Sequence, residues 1–409
     1  MKNFISIIIV TTLLFINSCT NSNENPKTPI KPLTQEDLHI VSLGNNFGLN
    51  LFKEVNREEG DKNIVLSPLS VSMALGMTVN GASGSTRDSM LNTLQMLGLS
   101  MDQVNSSYQS LINLLLNLDS KVQFELANSI WYRNTISFEQ NFFDVCNKYF
   151  NAQVTSLNFE DPSSENTINN WVNIQTKGKI TKIIDEIKDN SIMFLINAIY
   201  FKGNWTYIFD STKTINDLFY LTDGSTKICR MMKQFTYLSH FENQEFQAVD
   251  LPYGNKKYSM TIFLPTENNN LNNFINEMTQ DNYNQWISSL KTDTVDLWMP
   301  KFKIEYDIGL NDVLKNLGMG IAFKPYFADF SNMSSSGKNI YISEVKHKTY
   351  ILVDEEGTEA AAVTSVEDDL TSPRPDKYLM KINRPFVFVI RENNSGTIVF
   401  IGKIVEPMD

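Results

Sequence analysis

The sequence predicts an α+β fold in one large domain. Three observations carry that expectation. Amphipathic helical stripes gather early in the chain, long strand-like runs dominate later, and no Pro, Gly or Ser-rich linker follows Pro32. No internal repeat with a period of roughly 20 to 50 residues is visible. With 409 residues, 42% hydrophobic and 20% charged, the chain has the apolar material for a large core.

Taken in chain order, Lys2 precedes an apolar run over residues 4–16. At about 1.5 Å per residue that run is too short for about 30 Å of hydrocarbon, so it reads as an export signal. Ile16-Asn17-Ser18-Cys19 resembles a bacterial lipobox, with Asn17 an unusual occupant, and would make Cys19 the lipidated first residue of the mature protein. Residues 1–19 are therefore expected to be removed or lipid-modified, 20–33 to form a polar tether, and 34–409 to fold. Thr34 begins a capped helix, continued by Leu38, Val41, Leu49, Phe52 and Val55. Ser67-Pro68 suits the N-cap and first residue of a second helix, running through Met73 and Met77 to Gly81. Residues 191–201 (SIMFLINAIYF) read as a central strand covered on both faces, with Asn197 its one strong polar group. Alternation across 295–306, through Leu297, Met299, Phe302, Ile304 and Tyr306, predicts a half-buried strand. Residues 348–353 form another strand, and 386–390 and 397–405 around Asn393-Asn394-Ser395-Gly396 form a hairpin.

The formal net charge of -11 argues against binding a phosphate backbone, which needs basic stripes to displace counterions. Residues 88–120 hold no Lys or Arg, so a basic helix face for a polyanionic cofactor is missing there. Cys146 falls in a helical pattern and Cys229 in a strand-like one, and both are expected to be buried thiols. His39, His240 and His347 lie far apart, and no Cys or His spacing suits a metal. Gly-x-Ser-x-Gly and His-Glu-x-x-His are absent, which leaves a hydrolase reading without either of those motifs.

Residues 355–364 are unusual. They follow a good strand, yet open with Glu355-Glu356-Gly357 and continue as Thr358-Glu359-Ala360-Ala361-Ala362-Val363-Thr364. Alone, this also reads as a short helix or a solvated loop. As a strand, it would place Thr358, Ala360, Ala362, Thr364 and Val366 on one face and Glu359, Glu367 and Asp369 on the other. Such a segment can enter a sheet without burying charge, which would cost several kcal/mol.

Here the chain resembles the serpin family. The resemblance rests on Asn63-Ile64-Val65-Leu66-Ser67-Pro68 with Ser70, Ala74-Leu75 and Gly81-Ala82, then Asn170-Trp171-Val172 and Thr176-Lys177-Gly178-Lys179-Ile180. It continues through Asn197-Ala198-Ile199-Tyr200-Phe201-Lys202-Gly203 with Trp205, Leu251-Pro252-Tyr253, Pro300-Lys301-Phe302 and Asn383-Arg384-Pro385-Phe386, in family order. It implies three β-sheets, eight or nine helices and an exposed reactive-centre loop at about 357–380. It also implies a protease inhibitor rather than an enzyme, with no cofactor, in which a cleaved loop inserts as a new strand and carries the trapped protease with it.

By the same resemblance, Glu355, Gly357, Thr358, Ala360, Ala361 and Ala362 form the hinge. Trp205, Lys301 and Glu355 form the breach where insertion begins, with Lys301 and Glu355 paired. Ser67, Ser70, Asn197 and His347 form the shutter beneath the sheet, so His347 is no catalytic base. Counting from the hinge Gly puts the cleaved bond at Thr371-Ser372, with Leu370 a neighbouring alternative. Counting back from Pro385 would select Arg374. That choice lengthens the tether by about 10 Å and leaves Pro375 after the scissile bond. The expected targets are thus elastase-like or subtilisin-like endopeptidases, with papain-like enzymes as a further class and trypsin-like enzymes disfavoured. Asp368 departs from the pattern, because it would face inward at the far end of the inserted strand. The expected protein is a monomer at the cell envelope, on the cell surface or secreted, touching membrane only through its N-terminal lipid. The competing expectation is a non-inhibitory serpin that binds or chaperones.

Overall fold

The computed structural model describes residues 31–267, 269–358 and 378–408. Cys19, Ala360, Ala361, Ala362, Asp368, Leu370, Thr371, Ser372 and Arg374 lie outside them.

Helix α1 (Gln35–Glu59) starts where its capping box dictates: the Thr34 hydroxyl accepts from Asp37 N, and the Asp37 carboxylate accepts from Thr34 N. Helix α2 (Pro68–Gly81) is capped by Ser67, whose hydroxyl accepts from Ser70 N at 3.3 Å. It is apolar almost all round because it is buried almost all round. Nine α-helical segments occur among the described residues.

In chain order the strands are β1 (Ile64–Leu66), β2 (Val122–Arg133), β3 (Ala152–Leu157), β4 (Met193–Asn204), β5 (Ile215–Tyr220), β6 (Thr226–Glu242), β7 (Phe246–Tyr253), β8 (Tyr258–Pro265), β9 (Lys291–Pro300), β10 (Phe302–Gly309), β11 (Lys346–Val353), β12 (Gly357–Thr358), β13 (Tyr378–Lys381), β14 (Phe386–Glu392) and β15 (Ile398–Ile404). One hydrogen-bonded sheet runs β10-β11-β12-β4-β2-β3. The other runs β1-β15-β14-β8-β7-β6-β9-β13, with β5 also on β6. Three expected sheets therefore join into two ladders. The cause is the length of β6, whose first residues pair β5, whose middle pairs β9 and whose end pairs β7. Helix α2 packs between the ladders, touching β4 on one side and β15 on the other.

The single strand expected over 295–306 is two strands in two sheets. Strand β9 pairs β6 and β10 pairs β11, and the chain changes sheet at Lys301. Pro300 has no N–H to give the ladder, and Lys301 N makes the last bond to β6, at Arg230 O, before the chain crosses to the other sheet. The C-terminal hairpin is as expected, with Gly396 at φ 74° in its turn and every residue of β14 and β15 buried. Cys146 and Cys229 are buried and neither is in a disulfide. Burial pushes the Cys146 thiol up, away from the reactive thiolate.

Candidate functional site: the gap in the six-stranded sheet

At the end of β11 the chain makes a tight acidic turn. Asp354 N donates to Gly357 O, while the Asp354 carboxylate accepts from Glu356 N at 3.0 Å and Gly357 N at 3.2 Å. Gly357 sits at φ 155°, and a Cβ there would lie 2.1 Å from the Gly203 carbonyl oxygen. Only glycine fits this approach. The turn sends the chain back between β11 and β4, so Thr358 lies opposite Val353 on one side and Gly203 on the other. The first residues of the stretch expected to be exposed loop are thus already strand. Thr358 is buried, with its Oγ1 2.7 Å from the Tyr253 hydroxyl. The other end of that stretch is also strand, since Tyr378 to Lys381 pair in parallel with β9.

Backbone bonds fix the turn to the sheet top. Trp205 N donates to Glu356 O, Phe209 N to Glu355 O, and the Trp205 indole Nε1 to Asp354 O at 2.9 Å. Trp205 stacks on Tyr253 at 4.4 Å between centroids. Lys301 Nζ lies 2.7 Å from Glu355 Oε2, and the Thr214 hydroxyl donates to Glu355 Oε1 at 2.8 Å. Burial pushes the Glu355 carboxyl up, but these donors outweigh it and hold it below the usual range. Burial raises Asp354 and Glu356 instead. Trp205, Lys301 and Glu355 therefore meet at one point in the structure.

Below Thr358 the ladder stops. Among the described residues, β4 and β11 have no pairing with each other, so two central strands face a gap. Under the middle of that gap, Ser67 N donates to His347 Nε2 at 3.0 Å and Thr349 Oγ1 donates to Val65 O. Burial depresses His347 from 6.5 to about 4, so the imidazole is neutral and free to accept. Ser67, Ser70 and His347 come together. Asn197 joins a different partner, its Nδ2 donating to Asn128 Oδ1 at 2.6 Å across the β2–β4 pair, and its Oδ1 has no partner among the described residues. Asn128, Thr214, Asp354 and Tyr253 complete the arrangement without having been assigned from sequence. A signal existed for two of them: Asp354 stands three residues before a glycine, an Asx-turn spacing, and Tyr253 closes the Leu251-Pro252-Tyr253 motif.

The family model for serpins, serine protease inhibitors, matches residues 42–407. The chain belongs to the serpin family. A serpin-like protein of Thermococcus kodakarensis is 30% identical, with 99% of each chain covered. Among solved structures, the native state of the thermophilic serpin Tengpin superposes with a TM-score of 0.84 at 33% identity, covering 93% of this chain and 96% of that one. Human thyroxine-binding globulin, solved with its hormone, superposes with a TM-score of 0.83 at 29% identity, covering 91% and 100%. Serpins in general act as protease inhibitors.

Proposed function

We propose that this serpin inhibits serine endopeptidases as a suicide substrate cut at Thr371-Ser372, with papain-like cysteine endopeptidases as a further target class. The protease hydroxyl attacks the Thr371 carbonyl, the bond to Ser372 breaks, and the Ser372 amine leaves with the proton. The protease is then held as an ester on Thr371 while the freed chain enters the gap. One observation carries this reading: Thr358 is already seated between β11 and β4, in a register that the following residues can continue.

If the cleaved loop continues the register set by Thr358, Ala360 would enter between Phe201 and Ile351, and Ala362 between Ile199 and Thr349. Thr364 would then fall between Asn197 and His347. A threonine hydroxyl there supplies the donor that Asn197 Oδ1 lacks. Anchorage supports the need for a cut, because Thr358 is held in one sheet and Tyr378 in the other. A chain pinned at both ends fills the gap to its far end only when one end is released.

The test is incubation with pancreatic elastase and with trypsin, followed by denaturing electrophoresis. Elastase should give a covalent band of summed mass, and mass spectrometry of the released peptide should begin at Ser372. Clipped inhibitor without that band would point to the non-inhibitory reading. Export and lipid anchoring through Cys19 belong to the same proposal and rest on the lipobox-like residues 16–19. Labelled palmitate should enter the chain and fail to enter Cys19→Ser; equal labelling would remove the anchor.

A further inference from the structure

The top of the gap holds a polar contact that the ion pair and the indole do not account for. Tyr253 is fully buried at the end of β7. Its position is fixed from several directions: its ring stacks on Trp205 and meets the edge of Phe201 at 5.1 Å, and its backbone bridges Trp205. Gly203 leaves room for the ring, since a Cβ there would lie 3.0 Å from Tyr253 Cδ1. So held, the ring directs its hydroxyl at one atom, Thr358 Oγ1 at 2.7 Å.

We propose that Tyr253 is a positioning residue that selects a hydroxyl-bearing side chain at 358 and thereby sets the frame in which the loop enters the sheet. This rests on the inhibitory reading given above. With Thr358 in place both hydroxyls are satisfied; with an apolar side chain the Tyr253 hydroxyl is stranded in a buried site, where an unpaired polar group is costly. The frame matters because a strand has period two. Slipping the loop by one residue would turn Glu359 inward in place of Thr358, and every later residue with it. Gly357 opposes the same slip by shape, since Thr358 in its place would meet the Gly203 carbonyl. The hydroxyl pair adds a polar requirement at the first residue with a side chain to be read.

The experiment is a double-mutant cycle with Tyr253→Phe, which keeps the ring and its stacking, and Thr358→Val, which keeps the side-chain shape. With elastase, each single change should raise the clipped-to-covalent product ratio about fivefold, the effect of one hydrogen bond. The double variant should show no further rise, and Thr358→Ser should restore the original ratio. Equal ratios in all variants, or multiplying effects in the double variant, would overturn the proposal. Should the unsubstituted protein form no covalent product, the inhibitory reading fails by itself. The same cycle is then read by urea unfolding of the intact chain, where coupling of the two positions upholds the contact and its absence overturns it.

Discussion

The two sheets of this molecule are built from similar strands yet are left in opposite conditions. In the larger one, β14 and β15 sit between β8 and β1, are buried at every residue and have partners on both sides. In the smaller one, β4 and β11 are equally central, but among the described residues Gly357 and Thr358 alone lie between them. Both sheets satisfy the hydrophobic pattern of their residues. They differ in whether the central backbone groups are paired, and therefore in how much free energy remains to be released. A core can be complete in its side chains while one ladder waits for a strand.

The largest expected effect breaks the comparison by closing the gap. Cleaving the loop with a protease that does not stay bound should let about ten ladder bonds form at about 1 kcal/mol each. That raises the melting temperature by roughly 10 to 15 °C. Calorimetry of clipped and intact protein decides, and identical melting would mean that the smaller sheet never closes. Blocking the entrance should act next in size. Thr358→Arg puts a guanidinium where the side chain is 2% exposed, a desolvation cost of several kcal/mol. Covalent complex should fall by at least about tenfold while cleavage continues; an undiminished band on a gel would contradict entry at Thr358.

The smallest expected effect concerns the base of the gap. The folded pKa of His347, about 4, lies below its ordinary 6.5. The stability it allows is full above pH 6.5 and is lost as pH falls through that value toward 4, by up to about 1.4 kcal/mol per pH unit. Protonation also removes the lone pair that accepts from Ser67 N. Urea unfolding between pH 7 and 4 should therefore show a decline that His347→Gln flattens, whereas parallel curves would show that His347 does not carry it.

Much of the fold was legible because local signals agreed with the final contacts. Thr34 and Ser67 cap the helices whose starts they announced, and the apolar run containing Asn197 is central in its sheet. The change of sheet at Lys301 does leave a mark, since the buried positions are odd through Met299 and even from Phe302, a shift of phase across Pro300 that one regular strand does not allow. At the site, Trp205, Lys301 and Glu355 could be named from motifs. Thr214 could not, since its contact with Glu355 joins positions remote in sequence and no local pattern marks it. The resemblance groups Asn197 with His347 but does not mark its partner Asn128, a pairing that depends on how β2 and β4 align.

One consequence of the larger sheet concerns the order in which the molecule is made. Among the described residues strand β1 pairs with β15 alone, Ile64 against Lys403, so a segment translated early must wait for one translated near the end. At roughly 5 to 20 residues per second, that delay on the ribosome is on the order of tens of seconds. Until β14 and β15 emerge, β1 and β8 present bare edges. A nascent chain of this kind gains by a factor that shields those edges, and slowing translation just before residue 386 should lengthen its dependence on one.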